Sequence, residues 1–254
     1  VVVDGPVLEN ASVDLGEARR VRVHLVENER VEIQNLDTNE VLFSRPHEEL
    51  LSLTLTGDAN RSESVEVDFR GGNPLPMLGL NFDAGPSGLI PTPGDSLTVT
   101  GTGQETVEFL PDEDPRHSGA ILIDGASIAF DGVGTTAVTT VDSVSYVALD
   151  GQSVFASATQ RISQLDNGVE SGRLTFSDVT SLTIDATSND APDSADVVLV
   201  SLSPVAAGLD ELAIRTGSGH DRIDLAFADA TGIRVDAGAG DDVIIHGDGD
   251  GILN

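Results

Sequence analysis

Near its end the chain twice sets glycine and aspartate at a spacing that suits a hard cation. The first turn is Gly217-Ser218-Gly219-His220-Asp221, and the second, 21 residues on, is Gly238-Ala239-Gly240-Asp241-Asp242. Glycine at alternate positions permits positive φ and close backbone approach. Peptide carbonyls can then turn inward, and each aspartate adds a charged oxygen. Calcium takes about six to eight oxygens of this kind. If the turns stack, Asp221 and Asp242 lie about 4.8 Å apart, one strand spacing. Carboxylates that close repel unless a cation sits between them. Asp196-Val197-Val198 matches Asp221-Arg222-Ile223 and Asp242-Val243-Ile244, and Asp196 stands 25 residues ahead of Asp221. The expected calcium ligands are the carboxylates of Asp196, Asp221 and Asp242, with the backbone around Gly217, Gly219, Gly238 and Gly240.

Such turns need strands to hold them. Leu212-Ala213-Ile214-Arg215-Thr216 leads into the first and Arg222-Ile223-Asp224-Leu225 leads out. Ile233-Arg234-Val235-Asp236 and Val243-Ile244-Ile245 flank the second. The alternation of apolar and polar residues is that of a half-buried strand. A unit of this size cannot bury its apolar face alone, so copies must stack. Earlier copies are read at 51–69 around Gly57-Asp58-Ala59-Asn60 and at 97–109 around Gly101-Thr102-Gly103. Another runs over 174–200 around Ser188-Asn189-Asp190-Ala191-Pro192-Asp193. Residues 20–43 alternate with turn chemistry at Glu27-Asn28-Glu29 and Asp37-Thr38-Asn39. Asp124-Gly125 predicts a tight reversal between 121–123 and 128–130. Residues 1–18 read as an opening segment or cap, and 70–95 as a long Gly/Pro-rich loop with apolar patches around Leu78 and Leu89. Coils of roughly 22 residues suit a parallel β-helix. The whole chain then forms one β-solenoid of about eleven coils, a rod about 50 Å long.

Composition agrees. Aromatic residues are 4% and tryptophan is absent, whereas a narrow stack of Val, Ile and Leu needs few large rings. The net charge of −30 argues against nucleic acid, because phosphate contacts need a positive surface, and against anionic membranes. Such charge repels itself unless salt or bound cations screen it. All 13 basic residues are arginine, which removes Schiff-base chemistry and lysine isopeptide cross-links. Cysteine is absent, which removes disulfides and thiolate metal sites. No run of about 18 apolar residues occurs, so membrane insertion is not expected. Val1-Val2-Val3 has no basic region ahead of it, and Asp250-Gly251-Ile252 falls inside a turn motif; a trimmed or excised piece of a longer repeat protein is expected.

Gly217-Ser218-Gly219-His220-Asp221-Arg222-Ile223 and Gly238-Ala239-Gly240-Asp241-Asp242-Val243-Ile244 resemble RTX, or haemolysin-type, calcium-binding nonapeptides. A third turn, Gly247-Asp248-Gly249-Asp250, follows Gly238 by nine residues, the step of that family. The resemblance adds Gly247, Asp248 and Asp250 to the expected ligands. Thr216 and Ala237 stand where that motif prefers its first glycine, so the turns read as RTX-style corners set in a wider solenoid. Residues 173–250 also resemble repeats of very large bacterial surface proteins, notably those of planctomycetes. These resemblances imply a right-handed winding, export, and a place in an extracellular stalk, fibre or adhesin.

Other chemistries find less support. No Gly-x-Ser-x-Gly elbow is present, and His24, His47, His117, His220 and His246 lack zinc-site spacing. Carboxylates are too many to single out a glycosidase pair. A β-helical protein that binds or cleaves polysaccharide is the alternative, with Arg215, Arg222 and Arg234 as its basic groups. The expected function is non-enzymatic: a calcium-ordered structural module, secreted or at the cell surface. It would join head to tail or to further repeats, with surface polysaccharide as a possible partner class.

Overall fold

In the computed structural model the described residues are 8–27, 29–58, 60–85, 94–112, 118–166, 169–191, 194–226 and 232–247. They are all-β, with short helical turns at His47–Glu49 and Pro204–Ala207. In chain order the strands are β1 (Glu9–Asp14), β2 (Arg20–Val26), β3 (Arg30–Asn35), β4 (Val41–Pro46), β5 (Leu50–Thr56), β6 (Ser64–Asp68), β7 (Leu80–Asp83), β8 (Ser96–Thr100), β9 (Thr106–Pro111), β10 (Gly119–Ile123), β11 (Ala126–Asp131), β12 (Thr135–Val147), β13 (Ser153–Ser157), β14 (Arg161–Asp166), β15 (Val169–Asp185), β16 (Val197–Val200), β17 (Glu211–Arg215), β18 (Ser218–Gly219), β19 (Arg222–Leu225), β20 (Ile233–Asp236), β21 (Ala239–Gly240) and β22 (Val243–His246).

Their pairing resolves into two ladders between which the chain alternates. The first runs β1–β5–β7–β11–β10–β9–β12–β15–β17–β20. The second runs β4–β3–β2–β6–β8–β12–β15–β14–β13–β16–β19–β22. The long strands β12 and β15 serve both. Each gives its earlier half to the second ladder and its later half to the first. Each also holds one left-handed residue between the halves, Thr140 (φ 57°) and Asp178 (φ 53°). Pairing is parallel except in three meanders, β2–β3–β4, β9–β10–β11 and β13–β14–β15. A small third pair, β18 with β21, forms at a corner.

Register is set by the inward side chains. Because the side-chain period along a strand is two, a one-residue slip would turn every apolar residue outward. Ala11, Leu53, Leu80, Ile128, Ile121, Phe109, Tyr146, Ile184, Ile214 and Val235 are successive register partners down the first ladder. All are buried in one apolar cluster shared by the two ladders. Three of the rings pack together: Phe109 stacks on Phe130 at 5.9 Å and on Tyr146 at 5.4 Å between centroids. The Tyr146 hydroxyl donates to the Gly172 carbonyl at 2.6 Å, which ties β12 to β15, and burial raises its pKa well above the ordinary phenol value. Tyr146→Phe leaves that carbonyl without its donor, and we expect a loss of roughly 1–2 kcal/mol in urea unfolding with no change in β content.

Several expectations change. Uninterrupted parallel winding into about eleven coils is not what the pairing shows, because the meanders add antiparallel strands to one ladder at a time. The 70–95 loop contains β7, whose Leu80 and Phe82 are core residues; its four residues are too short to show periodicity amid glycine and proline. Leu78 of that loop is exposed, and Leu89 lies outside the described residues. The opening segment contributes β1, paired with β5. The copy at 51–69 is in phase with the terminal units, since β5 belongs to the first ladder and β6 to the second. The one at 97–109 is out of phase: β8 belongs to the second and β9 to the first. The reversal at Asp124-Gly125 joins β10 to β11 as expected.

Candidate cation-binding rim

Each corner that leads from the first ladder to the second falls on one side of the stacked strands. The last four such corners are 148–152, 186–196, 216–221 and 237–242, and two earlier ones are 57–63 and 84–95. In five of them the residue just ahead of the second-ladder strand is acidic: Glu63, Asp95, Asp196, Asp221 and Asp242. Parallel pairing of β6 with β8, and of β16 with β19 and β22, sets neighbours in register. Asp196, Asp221 and Asp242 therefore come together as the sequence predicts.

The neighbours are joined by one recurring hydrogen bond. The carboxylate on one strand accepts the backbone N–H of its counterpart on the previous strand. Asp221 Oδ1 accepts from Asp196 N–H at 2.9 Å, and Asp242 Oδ1 from Asp221 N–H at 3.1 Å. Asp95 Oδ1 accepts from Glu63 N–H at 2.9 Å. Glycine is required between these carboxylates because the turns touch backbone to backbone. A Cβ at Gly219 would lie 1.6 Å from the Ser194 carbonyl oxygen, and one at Gly240 would lie 1.5 Å from the Gly219 carbonyl oxygen. Both glycines have positive φ, 143° and 142°. The Gly217 carbonyl, next to the β18–β21 pair, accepts the Ala239 N–H at 2.8 Å, and Gly238 packs directly on that carbonyl. The Gly217 carbonyl thus points along the stack and bonds the next turn, where an inward direction is expected from sequence. Gly247 lies beyond the far end of β22 from Asp242, its N–H bonded to Leu225 O, so it is not on this rim. Asp248 and Asp250 lie outside the described residues.

Two aspartates that sequence reasoning passed over join the rim. Asp190 Oδ2 accepts the Ser218 N–H at 2.6 Å and the Ser218 hydroxyl at 2.9 Å. Asp150 Oδ1 accepts the Ala191 N–H at 3.2 Å. What these bonds leave over is a set of buried oxygens with no hydrogen-bond partner: Asp190 Oδ1, both oxygens of Asp196, Asp221 Oδ2 and Gln152 Oε1. Asp196 and Asp221 are each 1% exposed. Burial, and then the charges of Asp221, Asp190 and Asp150, push Asp196 up to about 7, against a smaller opposing contribution from the Gly151 backbone N–H. Glu63 Oε2 and Asp95 Oδ2 find no other partner, and the two carboxyls hydrogen-bond to each other, with Glu63 as the protonated member. Burial, reinforced by Asp95, pushes Glu63 up to about 7, and burial likewise raises Asp95.

A carboxylate that serves only as a turn cap looks different here. Glu105, at the opposite side between β8 and β9, accepts the Thr102 N–H at 2.7 Å, the Thr102 hydroxyl at 2.6 Å and the Gln104 N–H at 3.2 Å. Burial would raise it, but these donors outweigh burial and hold it below its usual range. The left-over oxygens of the rim are short of such donors, and buried ionised oxygens without partners are costly. Among the described residues, however, no three His, Asp or Glu side chains converge into a ready-made metal cage. The rim is a row of hard oxygen ligands one strand apart. Along its later corners Gln152, Asp190, Asp196 and Asp221 have oxygens to offer.

The remaining candidates are peripheral. Arg215, Arg222 and Arg234 are exposed, and Arg222 pairs with Asp224 on its own strand at 3.1 Å. His220 Nδ1 accepts the Asp241 N–H at 3.3 Å. Glu113, Asp114 and Pro115 of the acidic loop and His117 lie outside the described residues. No described helix is long and apolar enough to cross a membrane. Comparison of this chain with protein-family models, with curated proteins and with solved structures finds no match to any of them.

Proposed function

We propose that this chain is a β-solenoid of the parallel β-helix type, wound right-handed and interrupted by antiparallel meanders, and that it serves as a calcium-ordered structural module outside the cell. The observation that carries the reading is Asp196: buried to 1% exposure, its two carboxylate oxygens approached among the described residues by no donor but the Gly151 backbone, beside further unpartnered oxygens of Asp190 and Asp221. A divalent cation drawn in among these carboxylates, with Gln152 beside them, would offset the repulsion and give the orphan oxygens a partner. The RTX-like glycine turns supply the close backbone approach that keeps the rim carboxylates in line. Calcium is scarce inside cells and abundant outside, so the rim would be ordered after export.

The stack also supports end-to-end continuation. Ile244 on β22 is the register partner of Ile223, which is fully buried, yet Ile244 is 36% exposed. No described strand pairs with the outer edge of β22. Further repeats, or a second copy of the chain, would cover it by adding strands.

Thermal melts in EDTA and in millimolar calcium test the reading. We expect calcium to raise the Tm of the wild-type chain by at least several degrees, and Asp196→Asn to lose most of that gain. Mass action sets the scale: calcium at about 100 times its Kd stabilises by about 2.7 kcal/mol. Equal melts with and without calcium would rule out the role.

A further inference from the structure

At one end of the stack the first ladder closes on β20 and the second on β22. Among the described residues no strand pairs with the outer edge of either. On β22, Val243 and Ile245 are 50% and 38% exposed, on either side of Ile244. The Val243 N–H is bonded to Asp221 O and the Gly247 N–H to Leu225 O. Backbone groups alternate in direction along a strand, so the N–H and C=O of Ile244 point away from β19. On β20 the Gly232 and Asp236 carbonyls accept from Leu212 and Thr216. By the same alternation the N–H and C=O of Val235 point away from β17. Val235 and Ile244 each stand two residues from the corner 237–242 that joins the strands.

The other end of the stack is blocked. Arg45 on β4 is the register partner of the buried Val31, which puts it on the inward face, and it pairs with Glu9 at 3.8 Å. A charge on the inward face of an edge strand discourages addition of another strand. A second copy would therefore meet the open end with its own open end.

Turned about a two-fold axis normal to the ladders, both edge strands match themselves. An antiparallel pair centred on Val235 sets Arg234 opposite the partner's Asp236, and Asp236 opposite the partner's Arg234. A pair centred on Ile244 sets Val243 opposite the partner's Ile245, and His246 opposite the partner's Asp242. Each central residue turns its N–H and C=O outward, as a residue that exchanges two hydrogen bonds with its counterpart must. The rotation also carries the acidic corner of each copy to the far side of the other, so the two rims do not stack.

We propose that this chain forms a two-fold dimer, end to end, through antiparallel β20–β20 and β22–β22 pairs. The proposal rests on the open edge in the preceding reading, and not on calcium.

Sedimentation equilibrium of the intact chain in EDTA tests it. Salt at about 0.15 M gives a screening length of about 8 Å, which damps repulsion between distant charges but spares touching pairs. A reversible monomer–dimer equilibrium with no larger species is expected. Ile244→Asp should weaken it at least tenfold. Arg234→Glu and Asp236→Arg change exposed residues, and each sets like charges face to face at two places, so each alone should weaken the dimer about fivefold. Mixing these two variants makes every facing pair opposite in sign and should restore the dimer. These two variants keep the test sound where Ile244→Asp fails to fold. A folded wild-type chain that stays monomeric, a series of larger species, or a mixture no tighter than its components overturns the proposal. The calcium melts would then still decide the calcium reading separately.

Discussion

In EDTA, the Tm of this protein should fall as pH rises from 5 to 8, by roughly 10 °C, and Asp196→Asn should flatten much of that slope. The sign follows from which state binds protons more tightly. Asp196 and Glu63 are pushed up to about 7 in the fold, and Asp95 is raised with them. Their unfolded values lie near 4, so between about pH 4 and 7 the folded chain holds protons that the unfolded chain has released. Their contribution to stability is fully present below the unfolded value and is lost as pH rises through the folded one. For Asp196 alone the loss is at most about 4 kcal/mol.

Other carboxylates act outside this window. Burial would raise Asp68, but Arg70, through hydrogen bonds at 2.7 and 2.8 Å, and Arg22 outweigh it and lower the pKa. Glu105 and Glu170 are also lowered. These groups lose stability only as pH falls through their depressed values, on the acid side of the ordinary carboxylate range. Self-repulsion of a chain at −30 runs in the same direction as the buried groups. Removing one charge of so many cannot flatten the curve through net charge, so the Asp196→Asn melt separates the two causes. A Tm that holds steady or rises from pH 5 to 8 in EDTA would show that Asp196 is not buried without partners.

Gly219→Ala should be strongly destabilising, costing roughly 3–4 kcal/mol. Two effects add. The φ of 143° is one that L-residues rarely adopt, and the new Cβ would lie 1.6 Å from the Ser194 carbonyl oxygen. That oxygen is backbone, so it cannot swing aside. The corner at 216–221 would have to move off the one at 186–196, which breaks the bond from Asp196 N–H to Asp221 Oδ1. Gly103→Ala is the control. Its φ is 90°, but a Cβ there meets nothing within 4 Å, so only the conformational cost of about 1–2 kcal/mol applies. Chemical denaturation of both variants gives the difference, and equal losses would show that the turns are not in contact.

The rim was legible from sequence where short corners preserved its spacing. From Asp221 to Asp242 the path is one strand, one short connection and one glycine turn, and the alternation on either side marks the phase. Glu63 and Asp95 obey a related rule, since Glu63-x-Val65-x-Val67 and Asp95-x-Leu97-x-Val99 both place an acid just ahead of two inward residues, as Asp221-x-Ile223-x-Leu225 does. That signal was available, but the long corner at 84–95 breaks the period and carries no glycine-turn pattern. Asp190 and Asp150 could not be chosen from so many acidic residues, because their role depends on Ser218 and Ala191 in neighbouring corners. The meanders were hidden for a different reason. An alternating strand reads the same whether its neighbour runs parallel or antiparallel, and only Asp124-Gly125 announced a reversal.

The three meanders bear on how the chain finds its fold. Parallel neighbours such as β6 and β8 register residues 32 apart, Ser64 with Ser96, and closing such loops is slow because entropy is lost before contacts form. Adjacent antiparallel strands such as β10 and β11, joined through Asp124-Gly125, close within a few residues. Hairpins of that kind form in about 1–10 μs. Residues 20–46, 106–131 and 153–175 can therefore collapse early as separate seeds, onto which the distant strands then zip. Folding of this chain is set to start at several places along its length and to spread outward from each.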